Sequence, residues 1–237
     1  MNKVYAISDT HGMYNLWRQV IDSLDETDTL YMLGDAADRG PDGWKIIKEA
    51  LADPRVVYIR GNHDQMLLDC WKTEWRDNHL WFSNGGYETW DALMMDEKYE
   101  IYLAQLARTK LYHCYENKEG KKIHLSHAGF TIREDGVLPR DGELLWDRDH
   151  IYYDEFANEE TEYVVHGHTY CMSTIFKELS VWTPEEVNIN DSWTVGRYHG
   201  GYKICIDGRC FGTGKIAILD LDTLTEKVFY DEDMFPD

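Results

Sequence analysis

The N-terminal part of the chain carries one pattern three times: VYAISDTHG at residues 4–12, TLYMLGDAADRG at residues 29–40 and VVYIRGNHD at residues 56–64. Each copy begins with a short apolar run rich in β-branched or aromatic residues, which indicates a buried strand. Each run ends at a segment of acidic, amide or imidazole residues. In open α/β sheets, ligands bind just beyond the carboxyl ends of the strands, so the pattern predicts a site there.

A helix is predicted after each copy of this pattern. Apolar residues recur at helical spacing, as in Leu16, Val20 and Ile21 after the first copy. The three predicted helices cover about residues 16–24, 44–51 and 65–76. Three strands that alternate with three helices favour a parallel α/β sheet.

The second half of the chain has a different pattern. Its predicted strands mostly lack helices between them and cover residues 122–125, 163–165, 202–206, 215–221 and 227–230. We therefore expect a second, mainly antiparallel sheet packed on the first. No Pro/Gly/Ser-rich linker separates the halves, so residues 1–237 are predicted to form a single domain, with the polar stretch 184–201 as a surface excursion.

Composition excludes several classes of protein. The 237 residues are 43% hydrophobic, which excludes intrinsic disorder, and their net charge of −20 argues against a polymeric nucleic acid partner. The five Cys include no C-x-x-C pair, which argues against a zinc knuckle or a secreted disulfide framework. With no signal peptide and no run long enough to cross a bilayer, we expect a cytoplasmic protein without a membrane partner.

Five short polar clusters follow apolar, strand-like runs. They are Asp9-Thr10-His11, Gly34-Asp35 with Asp38-Arg39-Gly40, Gly61-Asn62-His63-Asp64, His127-Ala128-Gly129 and His166-Gly167-His168-Thr169. Carboxylate, amide and imidazole groups together suit manganese, iron or zinc, and one carboxylate can bridge two ions. The clusters therefore predict a two-metal hydrolase.

The ordered set D-x-H, G-D-x-x-D-R-G, G-N-H-[DE], H-x-G and G-H-T resembles the calcineurin-like metallophosphoesterases. More narrowly, it is similar to the bacterial and phage members of the phosphoprotein phosphatase family of serine/threonine phosphatases. The match spans Asp9 to Thr169, and residues 206–214 resemble the closing strand pair of that family. The resemblance implies a metallophosphoesterase fold, with two packed β-sheets flanked by helices in four α/β/β/α layers.

The resemblance also implies a complete dinuclear metal centre. It places the first ion on Asp9, His11 and Asp35, and the second ion on Asp35, Asn62, His127 and His168. The expected cofactors are two divalent ions per chain, with Mn²⁺ favoured in vitro and iron or zinc as alternatives. The attacking group would be a metal-bound water or hydroxide.

The same resemblance implies catalytic or substrate-binding roles for further residues. His63 is the expected general acid, with Asp38 orienting its ring. The expected phosphate-binding residues are Arg39, Arg60, Arg148 and Asn62, where Arg148 follows a leucine-leucine-tryptophan segment typical of the family. Trp81 and the Asn84-Gly85-Gly86 element are expected to line the substrate approach.

Three functions remain open at this level. The first is a metal-dependent phosphomonoesterase of the serine/threonine protein phosphatase type, and the second is symmetrical hydrolysis of diadenosine tetraphosphate. The third is a non-catalytic phosphate-binding module, whose expected mark is a lost ligand or acid, and none is lost here. The substrate is thus a phosphoprotein or a small phosphorylated molecule such as a nucleotide. Ala36 and Ala37 replace an aromatic and an aliphatic residue found in eukaryotic members, and this difference leaves the choice of substrate open. The sequence does not identify the oligomeric state.

Overall fold

The computed structural model describes residues 2–76, 78–133, 136–152, 162–171, 188–189 and 194–234. The strands are β1 Val4–Ile7, β2 Thr29–Met32, β3 Val56–Tyr58, β4 Tyr112–Glu116, β5 Lys122–Ser126, β6 Glu162–His166, β7 Asn188–Ile189, β8 Gly196–Tyr198, β9 Lys203–Cys205, β10 Lys215–Asp220 and β11 Glu226–Tyr230. The helices are α1 Tyr14–Asp22, α2 Gly43–Ala52, α3 Asn62–Lys72, α4 His79–Ser83, α5 Tyr87–Met94, α6 Tyr99–Leu106, α7 Asp141–Trp146, α8 Asp149–Tyr152 and α9 Cys210–Thr213.

The first sheet has the strand order β11-β10-β1-β2-β3. Strands β1, β2 and β3 run parallel, which confirms the sheet predicted from the repeated pattern. The C-terminal strands β10 and β11 also belong here, because β10 pairs antiparallel with β1. Assigning them to the second sheet was wrong, since a hydrophobic pattern identifies a strand but not its partner.

The second sheet has the order β4-β5-β6-β9-β8-β7. Its central strands β5, β6 and β9 are parallel, and antiparallel pairing joins β4, β8 and β7 to them. Among the described strands of this sheet, three of the five pairings are antiparallel, as expected, but the parallel pairing at its centre was not predicted. The chain between β5 and β6 carries α7 and α8, and such long crossovers permit parallel pairing.

Three apolar clusters define the four layers. Ala6, Leu33, Ile123, Val165 and Ile204 belong to one buried cluster that lies between the two sheets. A second cluster joins the opposite face of the first sheet to helices α1 to α6. A third cluster packs α7 on the outer face of β6. The order is therefore helices, sheet, sheet, helices.

Some local predictions were corrected. Helix α3 begins at Asn62 and ends at Lys72, earlier at both ends than predicted. The short helix α9 lies where the closing strand pair was expected. Part of the excursion predicted at 184–201 lies outside the described residues, but Gly196–Tyr198 is a buried strand rather than a surface segment. In the described part of the chain, no helix is both long and apolar enough to span a bilayer.

Candidate metal centre

The polar clusters lie just beyond the carboxyl ends of parallel strands. Asp9 follows β1, Asp35 follows β2 and Asn62 opens α3 after β3. In the second sheet, His127 follows β5 and His168 follows β6. Because the parallel strands of each sheet end on the same side, their loops meet above the packed sheets.

The loops that carry these residues have an unusual backbone conformation. Six residues have a positive φ between 38° and 71°, namely Asp9, His11, Asp35, Asp38, Arg39 and His168. Non-glycine residues rarely adopt this region, and such strain clusters at functional sites. Backbone bonds hold the loops together, with His11 N–H donating to the Asp35 carbonyl at 3.0 Å.

Two glycines allow the loops to approach closely. Gly34 has φ of +82°, and a Cβ atom there would overlap the backbone of Gly61. A Cβ atom on Gly167 would overlap the Ser8 hydroxyl and the Asp9 carboxylate. Glycine is therefore required where the β2 loop meets the β3 loop and where the β6 loop meets the β1 loop.

The buried Asp35 carboxylate is at the centre of the cluster. Its Oδ2 atom lies 3.3 Å from His127 Nε2, 3.8 Å from His11 Nε2 and 4.0 Å from His63 Nε2. The other oxygen, Oδ1, accepts a hydrogen bond from the His63 backbone N–H at 2.9 Å. Asp35 thus belongs to two groups of residues, and within each group the ligand atoms all lie within 4.8 Å of one another. One group is His11, Asp35 and His63, and the other is Asp9, Asp35 and His127.

Asn62 and His168 complete this arrangement. The Asn62 Oδ1 atom accepts hydrogen bonds from His127 Nε2 at 2.7 Å and His168 Nδ1 at 2.9 Å. The backbone N–H of His168 donates to Asp9 Oδ2 at 3.0 Å, and the Ser8 hydroxyl donates to the same oxygen. All six residues predicted to bind metal therefore meet in one cluster.

Burial and neighbouring charges shift the pKa values of Asp35, Asp9 and His127. Burial raises the pKa of Asp35, but the His127 and His63 charges outweigh it and hold the pKa well below its usual value. Burial raises the pKa of Asp9. Burial lowers the pKa of His127, but Asp35 outweighs that effect and raises it to about 10. His127 accordingly donates from both ring nitrogens, to the Leu33 carbonyl and to Asn62.

The other two imidazoles are neutral. Burial, aided by the Arg39 charge, lowers the pKa of His11 well below its usual value. Burial and the His127 charge do the same for His168, whose buried Nε2 atom has no hydrogen-bond partner among the described residues. Neutral imidazoles beside an ionised, buried carboxylate are the donor set that divalent transition metals take. Asp35, His11 and His168 therefore fit the metal ions that the sequence predicts, and His127 would release its Nε2 proton on binding one.

His63 and Asp38 form a buried pair beside this cluster. His63 Nδ1 donates to Asp38 Oδ2 at 2.8 Å. Burial lowers the pKa of His63, but the charges of Asp35 and Asp38 outweigh it, so the net shift is upward. This upward shift of the His63 pKa favours the protonated ring, which is the form that a general acid needs.

Trp81 differs from its expected place. It is fully buried rather than lining an approach, and its indole N–H donates to both Asp38 oxygens at 2.9 Å. The Asp38 backbone N–H donates to Thr89 Oγ1 at 2.8 Å. Trp81 therefore fixes the carboxylate that orients His63. The Gly85 carbonyl accepts from the Arg39 backbone N–H at 3.1 Å, which ties this element to the site.

Of the three predicted phosphate-binding arginines, Arg39 contacts the cluster directly. Its Nη1 atom donates to His11 Nε2 at 2.7 Å, and its Nη2 atom lies 3.0 Å from His63 Nε2. Arg148 is exposed, and its charge helps to lower the pKa of His168. Arg60 instead donates from its Nη1 atom to the carbonyls of Leu106 and Ala107 at the end of α6. Phosphate binding by Arg60 therefore stays a prediction.

Sequence reasoning missed the role of Asp64. Its buried Oδ2 atom accepts hydrogen bonds from Asp35 N and Gly61 N, both at 3.0 Å, and from the Tyr58 hydroxyl at 3.1 Å. Burial and the Asp35 charge raise the pKa of Asp64 to about 6. Asp64 thus positions the backbone of the central carboxylate. The position of Asp64 as the last residue of the G-N-H-D motif was the sequence signal that could have indicated this role.

A buried network lies behind the cluster. His166, two residues before His168, bonds through Nε2 with the Tyr198 hydroxyl at 2.6 Å, and that hydroxyl lies 3.2 Å from His150 Nδ1. His150 Nε2 donates to the Ala128 carbonyl at 2.7 Å. The network therefore braces the loops that carry His127 and His168. Strand β8, which supplies Tyr198, was not predicted from the sequence.

Comparison with known proteins gives the family. The sequence model of the calcineurin-like phosphoesterase family matches residues 2–172. Serine/threonine-protein phosphatase 2 of Salmonella typhimurium is 28% identical over 154 residues, which cover 62% of this chain and 69% of that protein. A symmetrical bis(5'-nucleosyl)-tetraphosphatase of Buchnera aphidicola is 29% identical over 136 residues, which cover 55% of this chain and 46% of that protein.

A solved structure of a protein serine/threonine phosphatase from Saccharomyces cerevisiae shares the fold. Its TM-score is 0.58 at 15% identity, and the superposition covers 97% of this chain and 80% of that one. It thus supports the four-layer α/β/β/α architecture described above. The chain is a metal-dependent phosphatase, and it belongs to the calcineurin-like phosphoesterase family.

Proposed function

We propose that this chain is a serine/threonine protein phosphatase with a dinuclear metal centre. The observation that carries the proposal is the His63–Asp38 pair, joined at 2.8 Å and placed beside the buried Asp35 cluster. A leaving alkoxide needs a proton donor, and this pair supplies one next to the candidate ion site. A non-catalytic module would not require such a pair.

The ligands of the first ion would be Asp9, His11 and Asp35. Those of the second would be Asp35, Asn62, His127 and His168. Bound there, the ions would activate the attacking water and neutralise charge on the phosphoryl oxygens. The ligand types admit manganese, iron or zinc, and we propose Mn²⁺ as the ion that supports activity in vitro.

The remaining steps belong to side chains. Arg39 is an exposed residue, and its planar fork would bind two oxygens of the phosphoryl group, while Arg148 would approach from the His168 side. His63 would pass its Nε2 proton to the departing oxygen while Asp38 holds the opposite nitrogen. We further propose that residues 1–237 act as one domain in the cytoplasm.

A substrate panel tests the proposed activity. Purified chain loaded with Mn²⁺ is incubated with a phosphoserine peptide and, separately, with diadenosine tetraphosphate, and the products are resolved by chromatography. We expect phosphate release from the peptide to be the faster reaction. The longer match to a protein phosphatase supports this choice over the tetraphosphatase. ADP formed far faster than phosphate is released would reverse it.

Arg39→Ala tests the phosphate grip. We expect kcat/KM to fall by about 10- to 100-fold, mainly through a higher KM, because a charge-assisted bidentate contact is lost. Arg39→Lys should recover only part of the loss, since lysine lacks the planar fork. Kinetics on the phosphopeptide and metal content by elemental analysis are measured together. Unchanged kinetics with reduced metal content would contradict this role.

A further inference from the structure

Arg209 is a charged residue at the rim of the candidate metal centre that has no role in the predicted motifs. It adopts φ of +54°, and its backbone N–H donates to the buried Asp207 carboxylate at 2.8 Å. The backbone is thus held by a buried acid, although Arg209 as a residue is exposed to solvent.

Two aromatic rings place this guanidinium next to Arg39. The Arg209 guanidinium carbon lies 5.4 Å from the ring centre of Phe211 and 5.2 Å from that of Tyr170. The Arg39 guanidinium carbon lies 4.9 Å from the centre of the same Phe211 ring. That ring also packs edge-on against His11, with centres 5.4 Å apart. The two guanidinium carbons are therefore at most about 10 Å apart.

Cation–π contact leaves the hydrogen-bonding edge of a guanidinium available, because the ring attracts its positive charge without accepting its N–H groups. The described part of the chain shows no ion pair between Arg209 and a carboxylate. Gly212 lies beneath the side chain, where a Cβ atom would come within 3.2 Å of Arg209 Nε. Arg209 is thus held in place and open to an anion from solvent.

We propose that Arg209 binds an acidic side chain of a phosphopeptide substrate, next to the phosphate that Arg39 holds. The inference rests on the proposed phosphatase function and adds a preference for acidic sequences. In an extended peptide, side chains two residues apart point the same way and are separated by about 7 Å. That spacing is compatible with two guanidinium carbons that lie at most about 10 Å apart.

The charge of the whole chain gives this local contact its importance. A net charge of −20 repels an acidic phosphopeptide at long range. Positive groups at the rim of the site are therefore needed to accept a second anion beside the phosphate. Arg209 supplies such a group a short distance from Arg39.

The test measures how strongly the chain prefers Asp to Asn near the phosphoserine of a peptide substrate. The metal-loaded chain is assayed on two phosphoserine peptides that differ only in Asp or Asn two residues after phosphoserine, and on diadenosine tetraphosphate. The measured quantity is the ratio of kcat/KM for the Asp peptide to that for the Asn peptide. Arg209→Ala, Arg209→Lys and Arg108→Ala are compared, where Arg108 is an exposed arginine after α6 and its loss removes the same charge.

We expect Arg209→Ala to lower the Asp/Asn ratio by about five-fold, as for an exposed ion pair of good geometry. Arg209→Lys should keep part of the ratio, and Arg108→Ala should leave it unchanged. An equal loss on both peptides, an unchanged ratio, or a loss confined to the tetraphosphate would overturn the inference. If the wild-type chain releases phosphate from neither peptide, the proposed function itself fails.

Discussion

Replacing Asp35 by Asn is expected to lower kcat/KM by about 10³-fold or more and to reduce the bound metal below two ions per chain. Asp35 is the carboxylate that reaches both candidate ion groups, with Oδ2 at 3.3 Å from His127 and 3.8 Å from His11. The amide keeps the size of the side chain and can still accept the His63 backbone N–H, but it loses the negative charge. Elemental analysis and phosphopeptide kinetics measure the two effects.

The matched control is Asp69→Asn, which changes an exposed aspartate on α3 in the same way. Surface ion pairs contribute little, so this variant should resemble the wild type in metal content and turnover. Circular dichroism of both variants checks that they fold. A folded Asp35→Asn chain with two bound ions and wild-type turnover would contradict the bridging role.

The second large effect is expected for His63→Asn. We expect kcat for a phosphoserine peptide to fall by about 10²- to 10⁴-fold, because the leaving alkoxide loses its proton donor. The loss should be smaller with p-nitrophenyl phosphate, whose leaving group departs without protonation. Metal content should stay close to that of the wild type. This split between leaving groups distinguishes an acid from a residue with a structural role.

Asp38→Asn gives a graded comparison for the same pair. The amide still accepts from Trp81 but no longer stabilises a protonated His63, so turnover should fall by less than in His63→Asn. Both variants are assayed over a range of pH with the two substrates. Equal losses on the phosphopeptide and on p-nitrophenyl phosphate in His63→Asn would contradict general-acid catalysis.

The sequence predicts the N-terminal sheet well because its signals are local. Each strand, polar loop and helix of residues 4–72 lies within one short pattern, and parallel pairing follows from that alternation. The resemblance likewise predicted which six side chains converge. Their convergence rests on contacts such as His168 to Asp9, 159 residues apart, which no local pattern contains.

The parts that were missed depend on distant contacts. Strand β10 pairs with β1, with Tyr5 opposite Asp220, and alternation within β10 cannot indicate that partner. Trp81 looked like a rim residue, but a buried carboxylate 43 residues away accepts its N–H. Arg60 lies in the expected motif, yet carbonyls at the end of α6 accept from its guanidinium. The role proposed for Arg209 depends on Phe211, whose ring packs against both Arg209 and Arg39, and no sequence pattern indicates that contact.

The most direct test of the account is anomalous diffraction at the manganese edge from crystals grown with Mn²⁺. We predict two peaks about 3.5 to 4 Å apart with one Asp35 carboxylate between them. One peak should contact Asp9 and His11, and the other Asn62, His127 and His168. A structure with no manganese in contact with Asp35, or with one ion only, would contradict the dinuclear centre.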